Sequence, residues 1–291
     1  MTPSKPLDGR VALVTGANNP RGIGAAIARA LAGAGADVLV HGCPSTGPRA
    51  EQPPEAPGDK LLQWLSGAPT EDIAQELRAL GVGSVAVDGD LSDPALIGGL
   101  FERAAQELGP VDILINNAAY WEADTFVPAD GKLAAQHVEM WTDRPQTFNA
   151  GVFDRIFAVN TRAVALAMSE FARRHAQRTA AWGRIVNIST AGAYVFPSEI
   201  TYGASKLALE GYTRSAATEL GPRGITVNTI SPGPIQTGWV TPELERHILP
   251  TIPMGRIGQP EDIAAVVEFL VSEQARWVTG QRIFVGGGHG M

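Results

Sequence analysis

Two residues in the stretch "YGASK" have the types and spacing of a proton-transfer pair. Tyr202 and Lys206 stand four apart, hence on one face of a helix. There an ammonium can stabilise a phenolate and lower a tyrosine from its ordinary value of about 10. Ser189 closes the apolar run "GRIVNIS", thirteen positions before Tyr202. A strand end of that kind is where an open α/β sheet presents its chemistry. Near the start, "TGANNPRGIG" (residues 15–24) sets glycines between an apolar run and a helical one, so that backbone N–H groups and a helix dipole can face a pyrophosphate. Its spacing is irregular, with five residues between Gly16 and Gly22 where the familiar pattern has three. Taken alone it is a weak signal, because glycine-rich turns also serve close packing.

Short β-branched runs alternate with longer Ala- and Leu-rich segments of helical period, the pattern of βαβ units. Strands are expected at "RVALVTG", "DVLVHG", "GSVAVDG", "VDILINNA", "GRIVNIS", "GITVNTIS" and "QRIFVGG". Between them lie helical segments that include "GIGAAIARALAGAG", "TEDIAQELRAL", "DPALIGGLFERAAQEL" and "PEDIAAVVEFLVS". Thr70, Asp93 and Gln259 read as helix caps, the last two followed by proline. The fold expected is α/β, a Rossmann-type three-layer doubly wound sandwich on a seven-stranded parallel sheet, forming one domain over residues 1–291. Two stretches break the rhythm. Residues 43–60 are rich in proline, glycine and charge and read as a surface insertion. Residues 120–147 carry Trp121, Phe126 and Trp141 among acids and prolines, with Phe148 just beyond, and read either as a loop packing its own aromatics or as a substrate-side lid.

A net charge of −7 gives no basic surface for a nucleic-acid backbone. The single cysteine, Cys43, excludes an intramolecular disulfide framework and a thiolate metal cluster, so no metal is expected and a reducing compartment fits. No signal-peptide pattern or run of roughly 20 apolar residues is present, and a cytoplasmic, soluble protein without membrane contact is the expectation.

With these residues in place, the chain resembles the short-chain dehydrogenase/reductase family, most of all its carbonyl and 3-oxoacyl reductases. The resemblance rests on landmarks in order: the loop at 15–24, Asp90-Leu91 after the third strand, "NNAA" at 116–119, Asn160 in "FAVNTRA", Ser189, "YGASK", "SPGPIQT" at 231–237 and "TGQRIFVGGG". It covers nearly all of the chain outside the two insertions. It implies Tyr202 as general acid for carbonyl reduction and as base in the reverse oxidation. Lys206 then lowers the phenol pKa and holds the nicotinamide ribose, and Ser189 donates a hydrogen bond to the carbonyl oxygen. Asn160 is implied to position a water leading to Lys206; the other reading is a polar residue at a helix irregularity. For the dinucleotide it implies a cradle of Gly16, Asn18, Arg21, Gly22, Ile23 and Gly24, with Asp90 and Leu91 at the adenine. Asn117, Ala118 and Ala119 pass the adenosine ribose, and Pro232, Gly233, Ile235 and Thr237 line the nicotinamide with Tyr202 and Lys206.

The choice of cofactor turns on the end of the second strand, where an acid would bind the ribose and repel a 2′-phosphate. His41-Gly42-Cys43 supplies none, and Arg21 stands where an arginine in the family meets that phosphate. NADP(H) is therefore favoured over NAD(H), with His41 as a further contact. Two features depart from the family pattern: Ala119 replaces a usual glycine, and the enlarged loop is similar to that of the enoyl-reductase branch, which spaces its tyrosine and lysine further apart. The leading reading is reduction of a ketone or aldehyde by NADPH. Reduction of an activated C=C or C=N bond and a catalytically silent nucleotide-binding scaffold are the alternatives. Residues 239–254 with Tyr194, Phe196, Trp121 and Trp141 are expected to wall an apolar pocket for a bulky or aromatic small-molecule substrate. A homo-oligomer, tetramer or dimer, is implied by resemblance, with "QRIFVGGG" and the helix at 260–272 at one interface.

Overall fold

The computed structural model describes residues 5–44, 50–133 and 145–290. Its frame is β1 (Val11–Val14), α1 (Ile23–Gly33), β2 (Asp37–Gly42), α2 (Asp59–Ser66), α3 (Thr70–Ala79), β3 (Ser84–Asp88), α4 (Pro94–Glu107) and β4 (Ile113–Asn116). A two-residue ladder of β5 (Asp124–Thr125) with β6 (Gln146–Thr147) closes the base of the second insertion. Then come α5 (Ala150–Phe157), α6 (Val164–Ala176), β7 (Gly183–Ile188), α7 (Ile200–Leu220), β8 (Ile225–Pro232), α8 (Pro242–Ile248), α9 (Pro260–Val271) and β9 (Arg282–Val285). All seven expected strands join one sheet in the order β3-β2-β1-β4-β7-β8-β9, every pair parallel.

Burial on both faces explains why the central strands β1 and β4 read as near-continuous apolar runs. In β1, Ala12 and Val14 enter a core shared with α1, α3 and α9, while Val11 and Leu13 enter a second core with α4, α6 and α7. Each fully buried leucine, isoleucine or phenylalanine there contributes about 1.5–3 kcal/mol. The order reverses at β1 and β4, so a crevice opens at their carboxyl ends, beside the glycine loop that feeds α1.

Of the expected caps, Asp93 accepts from Ala95 N at 2.9 Å, and Gln259 forms a reciprocal capping box with Asp262. Thr70 is not a cap. Pro69 takes that position, and the Thr70 hydroxyl donates instead to Asp88 at the end of β3. The first insertion also departs from expectation at its end. Its described part is mostly exposed, but α2 begins at Asp59 and buries Leu61 and Leu65, and Leu65 packs beside Gly238.

Candidate active site

As the crossover between the parallel strands β7 and β8, α7 runs back along the sheet, so its first turns stand at the carboxyl edge. Tyr202 and Lys206 occupy those turns. Lys206 is buried, donates from Nζ to the Ile188 carbonyl at 2.9 Å, and lies 5.8 Å from the centroid of the Tyr202 ring. Burial pushes the lysine down to about 8. It pushes the Tyr202 phenol the other way, above its ordinary value, and the negative charge of Glu199 adds to that. The depression expected of the phenol is not seen here: burial and the Glu199 charge both raise it.

Glu199, just before α7, is a buried carboxyl that the sequence did not single out. Trp121 Nε1 donates to its Oε2. Burial raises its pKa to about 7; the Trp121 hydrogen bond opposes the rise, and neighbouring Asp124 adds to it. Asp124 itself accepts from the Thr201 N–H at 3.0 Å and from the Thr201 hydroxyl. The preceding residue, Ser198, has φ 69, a strained left-handed conformation for a non-glycine, and its buried hydroxyl has no partner among the described residues.

Asn160 falls in a π-helical turn, Ala158–Ala163, between α5 and α6, a distortion that recurs at functional sites. Fully buried, it accepts from Tyr120 N at 2.8 Å and donates to Tyr120 O at 2.9 Å and Ser205 Oγ at 3.1 Å. Both amide hydrogens are taken, so only its oxygen has a lone pair left for a water. Ser189 is placed unexpectedly. Its hydroxyl is turned under α7 and donates to Glu210 Oε1 at 2.6 Å, and no hydrogen bond joins it to Tyr202.

The enlarged loop answers its own irregularity. Asn18 donates to Ser66 O at the end of α2, and Asn19 donates to Thr237 O at 3.2 Å and accepts from Arg21 N at 2.9 Å. Asn18 and Asn19 therefore tie the loop to α2 and to the segment around Thr237. Close approach survives: Gly16, at φ 68, would carry a Cβ 2.6 Å from Ala118 Cα, and a Cβ on Gly24 would lie 2.3 Å from Gly16 O. At the mouth of α1, Gly22 supplies no side-chain cap and the first turn holds no acid, so the N–H groups around Ile23 suit an anion. Asn117 braces the loop, donating to Thr15 O and Gly16 O at 2.9 Å each, and Ala118 N donates to Thr15 Oγ1. Asp90 is exposed, Leu91 buried and Ala119 exposed. On the other side, Pro232 ends β8, Gly233 abuts Gly286, and Ile235 bridges Gly258 ahead of Thr237. These residues fit a dinucleotide along the crevice.

His41 is corrected as a phosphate contact. Its ring is buried, with Nδ1 accepting from Gly16 N at 3.4 Å and Nε2 facing Gly89 O at 3.0 Å, and burial lowers its pKa. A neutral ring spent on two backbone groups steadies the glycine loop and brings no charge to an anion. Arg21 is exposed, and its guanidinium has no hydrogen bond or ion pair among the described residues. Of the expected pocket wall, Phe196 sets its ring 6.0 Å from that of Tyr202, edge-on, and Trp121 sits at Glu199. Tyr194 does not join them: it is exposed and lies against Arg282, 4.4 Å away, and Trp141 lies outside the described residues.

Residues 60–289 match the family profile described as Enoyl-(Acyl carrier protein) reductase. The chain is 36% identical to the 3-oxoacyl-(acyl-carrier-protein) reductase FabG of Pseudomonas aeruginosa, over 97% of this chain and 98% of the relative. Among solved structures it is similar to a short-chain dehydrogenase/reductase from Serratia marcescens, at 30% identity and TM-score 0.77, covering 98% of this chain and 100% of that one. A second is a blue fluorescent protein from a metagenomic library in complex with NADPH, at 31% identity and TM-score 0.76, covering 99% and 100%. With its parallel seven-stranded sheet and these full-length matches, the chain belongs to the short-chain dehydrogenase/reductase family of oxidoreductases.

Proposed function

We propose that this protein is an NADPH-dependent reductase of a ketone or aldehyde, reversible as an alcohol dehydrogenase. The observation that carries the reading is the Tyr202–Lys206 pair at the carboxyl edge of the sheet, one buried cation behind one phenol. NADPH, when bound, supplies the hydride. The residues of the chain manage the proton and the charge. Tyr202 gives its proton to the carbonyl oxygen as negative charge grows there, and Lys206, pointing at the end of β7, stabilises the phenolate left behind. Asn160, braced on Tyr120 and Ser205, holds the π-helical turn beside Lys206 and offers its free lone pair to a relaying water.

The family profile is described by an enoyl reductase, and the enlarged loop favours that second reading, reduction of a C=C bond. The four-residue step from Tyr202 to Lys206 favours the carbonyl, as does the FabG relative. Loss of NADPH absorbance with a panel of ketones, aldehydes and enoyl compounds tests the choice. Consumption with carbonyls is expected; consumption with the enoyl compounds alone would transfer the assignment to C=C reduction, and tight binding with no turnover would favour a scaffold.

Preference for NADPH rests on Arg21 and on the missing acid after β2, and is consistent with the NADPH complex of the similar structure. Arg21→Ala should raise the Michaelis constant for NADPH about tenfold or more, the scale of a lost charged hydrogen bond, and that for NADH less than twofold. Equal effects on both cofactors would remove Arg21 from the 2′-phosphate.

Glu199 gives the reaction a pH dependence. Above a pH of about 7 it ionises, and its charge keeps the proton on Tyr202, which is what reduction requires. Glu199→Gln removes that charge, so the alkaline limb of the reductive pH profile should move to lower pH, by about one unit. Superimposable profiles would show that the two groups do not communicate.

Exposed Phe269 on α9, Trp277, and Phe284 on the edge strand β9 support a homo-oligomer, dimer or tetramer, through that face. Light scattering reads it directly. Composition and the single cysteine support a cytoplasmic setting; no helix among the described residues is long and apolar enough to cross a membrane.

A further inference from the structure

Tyr202 is the third residue of α7, and a helix leaves the N–H groups of its first turn without partners inside the helix. A side chain at the cap ordinarily meets them. Here the cap residue is Glu199, whose side chain makes no bond to the turn and takes the Trp121 indole instead. The turn is closed from outside. Asp124, on β5 and 77 residues before Thr201, is fully buried and sets both carboxyl oxygens on that threonine, the neighbour of Tyr202. Its Oδ1 accepts from Thr201 N at 3.0 Å, and its Oδ2 accepts from the Thr201 hydroxyl. Backbone contact follows the same line, because Asp124 and Glu199 also form a parallel β-bridge. Burying a carboxyl without a cation is costly unless it is hydrogen-bonded, and Asp124 has no ion pair among the described residues. The bonds to Thr201 answer that cost and fix Thr201 in return.

The entry to α7 needs such a tie. Ser198 holds φ 69, and a non-glycine residue stays there only where its surroundings determine it. On one side Glu199 N donates to Phe196 O at 3.1 Å, and the Phe196 ring meets that of Tyr202. On the other side Asp124 and Trp121 hold Thr201 and Glu199. Asp124 is itself held firmly. The Asn160 side chain bonds both N and O of Tyr120, and Glu122 receives Arg155 of α5 at 2.6 and 2.9 Å. In the β5–β6 ladder, Phe148 N donates to Thr125 O at 2.8 Å. Residues 120–125, the start of the second insertion, therefore brace the first turn of α7 against the π-helical turn of Asn160.

Resting on the carbonyl-reductase reading, in which Tyr202 gives the proton, we propose that Asp124 is a positioning residue of the reaction: by capping α7 from the second insertion it fixes the turn that aims the Tyr202 phenol at the substrate oxygen. A first turn that frays carries its third residue with it, and a displacement of about 1 Å can cost on the order of 100-fold in rate.

The test is a double-mutant cycle in the full chain. Asp124→Ala and Asp124→Asn are made in the wild type and in Tyr202→Phe, and each protein is measured for its single-turnover rate with a ketone that the wild type reduces, its NADPH Kd and its melting temperature. In the wild type, Asp124→Ala should lower the rate about 10- to 100-fold and leave the NADPH Kd within about threefold. In Tyr202→Phe no phenol proton is left to aim, so the same substitution should cost less than about threefold. Asp124→Asn keeps an oxygen for the Thr201 N–H and should hold the rate within about fivefold of the wild type. Should Asp124→Ala not fold, Asp124→Ser, whose oxygen stands one bond short of Thr201, takes its place in the cycle. An acid with a merely structural role would lower the rate by the same factor in both backgrounds, and that result overturns the inference while the carbonyl-reductase reading stands. An asparagine variant no better than alanine overturns it as well. A Tyr202→Phe protein as fast as the wild type overturns both the reading of Tyr202 and the inference.

Discussion

Tyr202→Phe is expected to lower kcat for carbonyl reduction by about 10²- to 10⁴-fold, the range of a positioned general acid, while binding NADPH nearly as well as the wild type. The substitution removes one oxygen and keeps the ring that meets Phe196 edge-on at 6.0 Å, so the fold should not notice. The loss arises because the carbonyl oxygen gains negative charge that the phenol proton meets, while Lys206 stands behind the phenol and donates to the Ile188 carbonyl. Without the phenol proton that charge must be met by water. Single-turnover absorbance separates this loss from a change in product release. A Tyr202→Phe enzyme within tenfold of the wild type would place the proton donor elsewhere, with Glu199 the nearest candidate.

Lys206→Met carries the second large effect and pulls activity and stability apart. Methionine, one atom shorter and unbranched, keeps the apolar stem and removes a buried ammonium that has one hydrogen-bond partner among the described residues, so kcat should fall about 100-fold while thermal stability is kept or raised. The pH dependence has a definite sign. The lysine titrates at about 8 in the fold against 10.5 when unfolded, so between those values the unfolded chain binds more protons. Stability from this group therefore rises with pH through that window and is lowest below 8. The advantage of Lys206→Met, on the order of 3 kcal/mol at most, should shrink as pH rises from 8 to 10. Denaturant melts at pH 7 and 10 measure it; a variant less stable than the wild type at both would mean that the ammonium is a net stabiliser.

The sheet was the most legible part, because short β-branched runs bounded by turn residues alternate with longer segments of helical period, and all seven runs are strands. Of the helices, α2 escaped: eight residues next to a proline-rich stretch give little period, although Leu61 and Leu65 at i,i+4 were a usable sign. Tyr202, Lys206 and Asn160 lie together at the site because order and spacing along the chain carry them there. The direction of a strand-end side chain is not written in spacing. That is why the thirteen-residue step pointed to Ser189, while its proton faces Glu210. Glu210 itself could have been suspected, four residues past Lys206 on the same helix face. Arg282, which meets Glu210 from β9, and Trp121, which reaches Glu199 across the chain, are long-range partners that only the folded sheet brings in. His41 shows the same limit, since a histidine at a strand end can be a ligand or a structural residue, and only its two nitrogens on Gly16 and Gly89 decide for the second.

The central claim is hydride delivery to a carbonyl carbon with the proton from Tyr202, and isotope transfer reads it most directly. Wild-type protein is given NADPH deuterated at the transferred position and a ketone it consumes, and the product is examined by mass spectrometry and NMR. One deuterium on the carbinol carbon, formed with a single stereochemistry and nearly absent with Tyr202→Phe, is the result predicted. Deuterium found instead at the β carbon of a saturated ketone whose carbonyl is untouched, when an enone is offered, would contradict it.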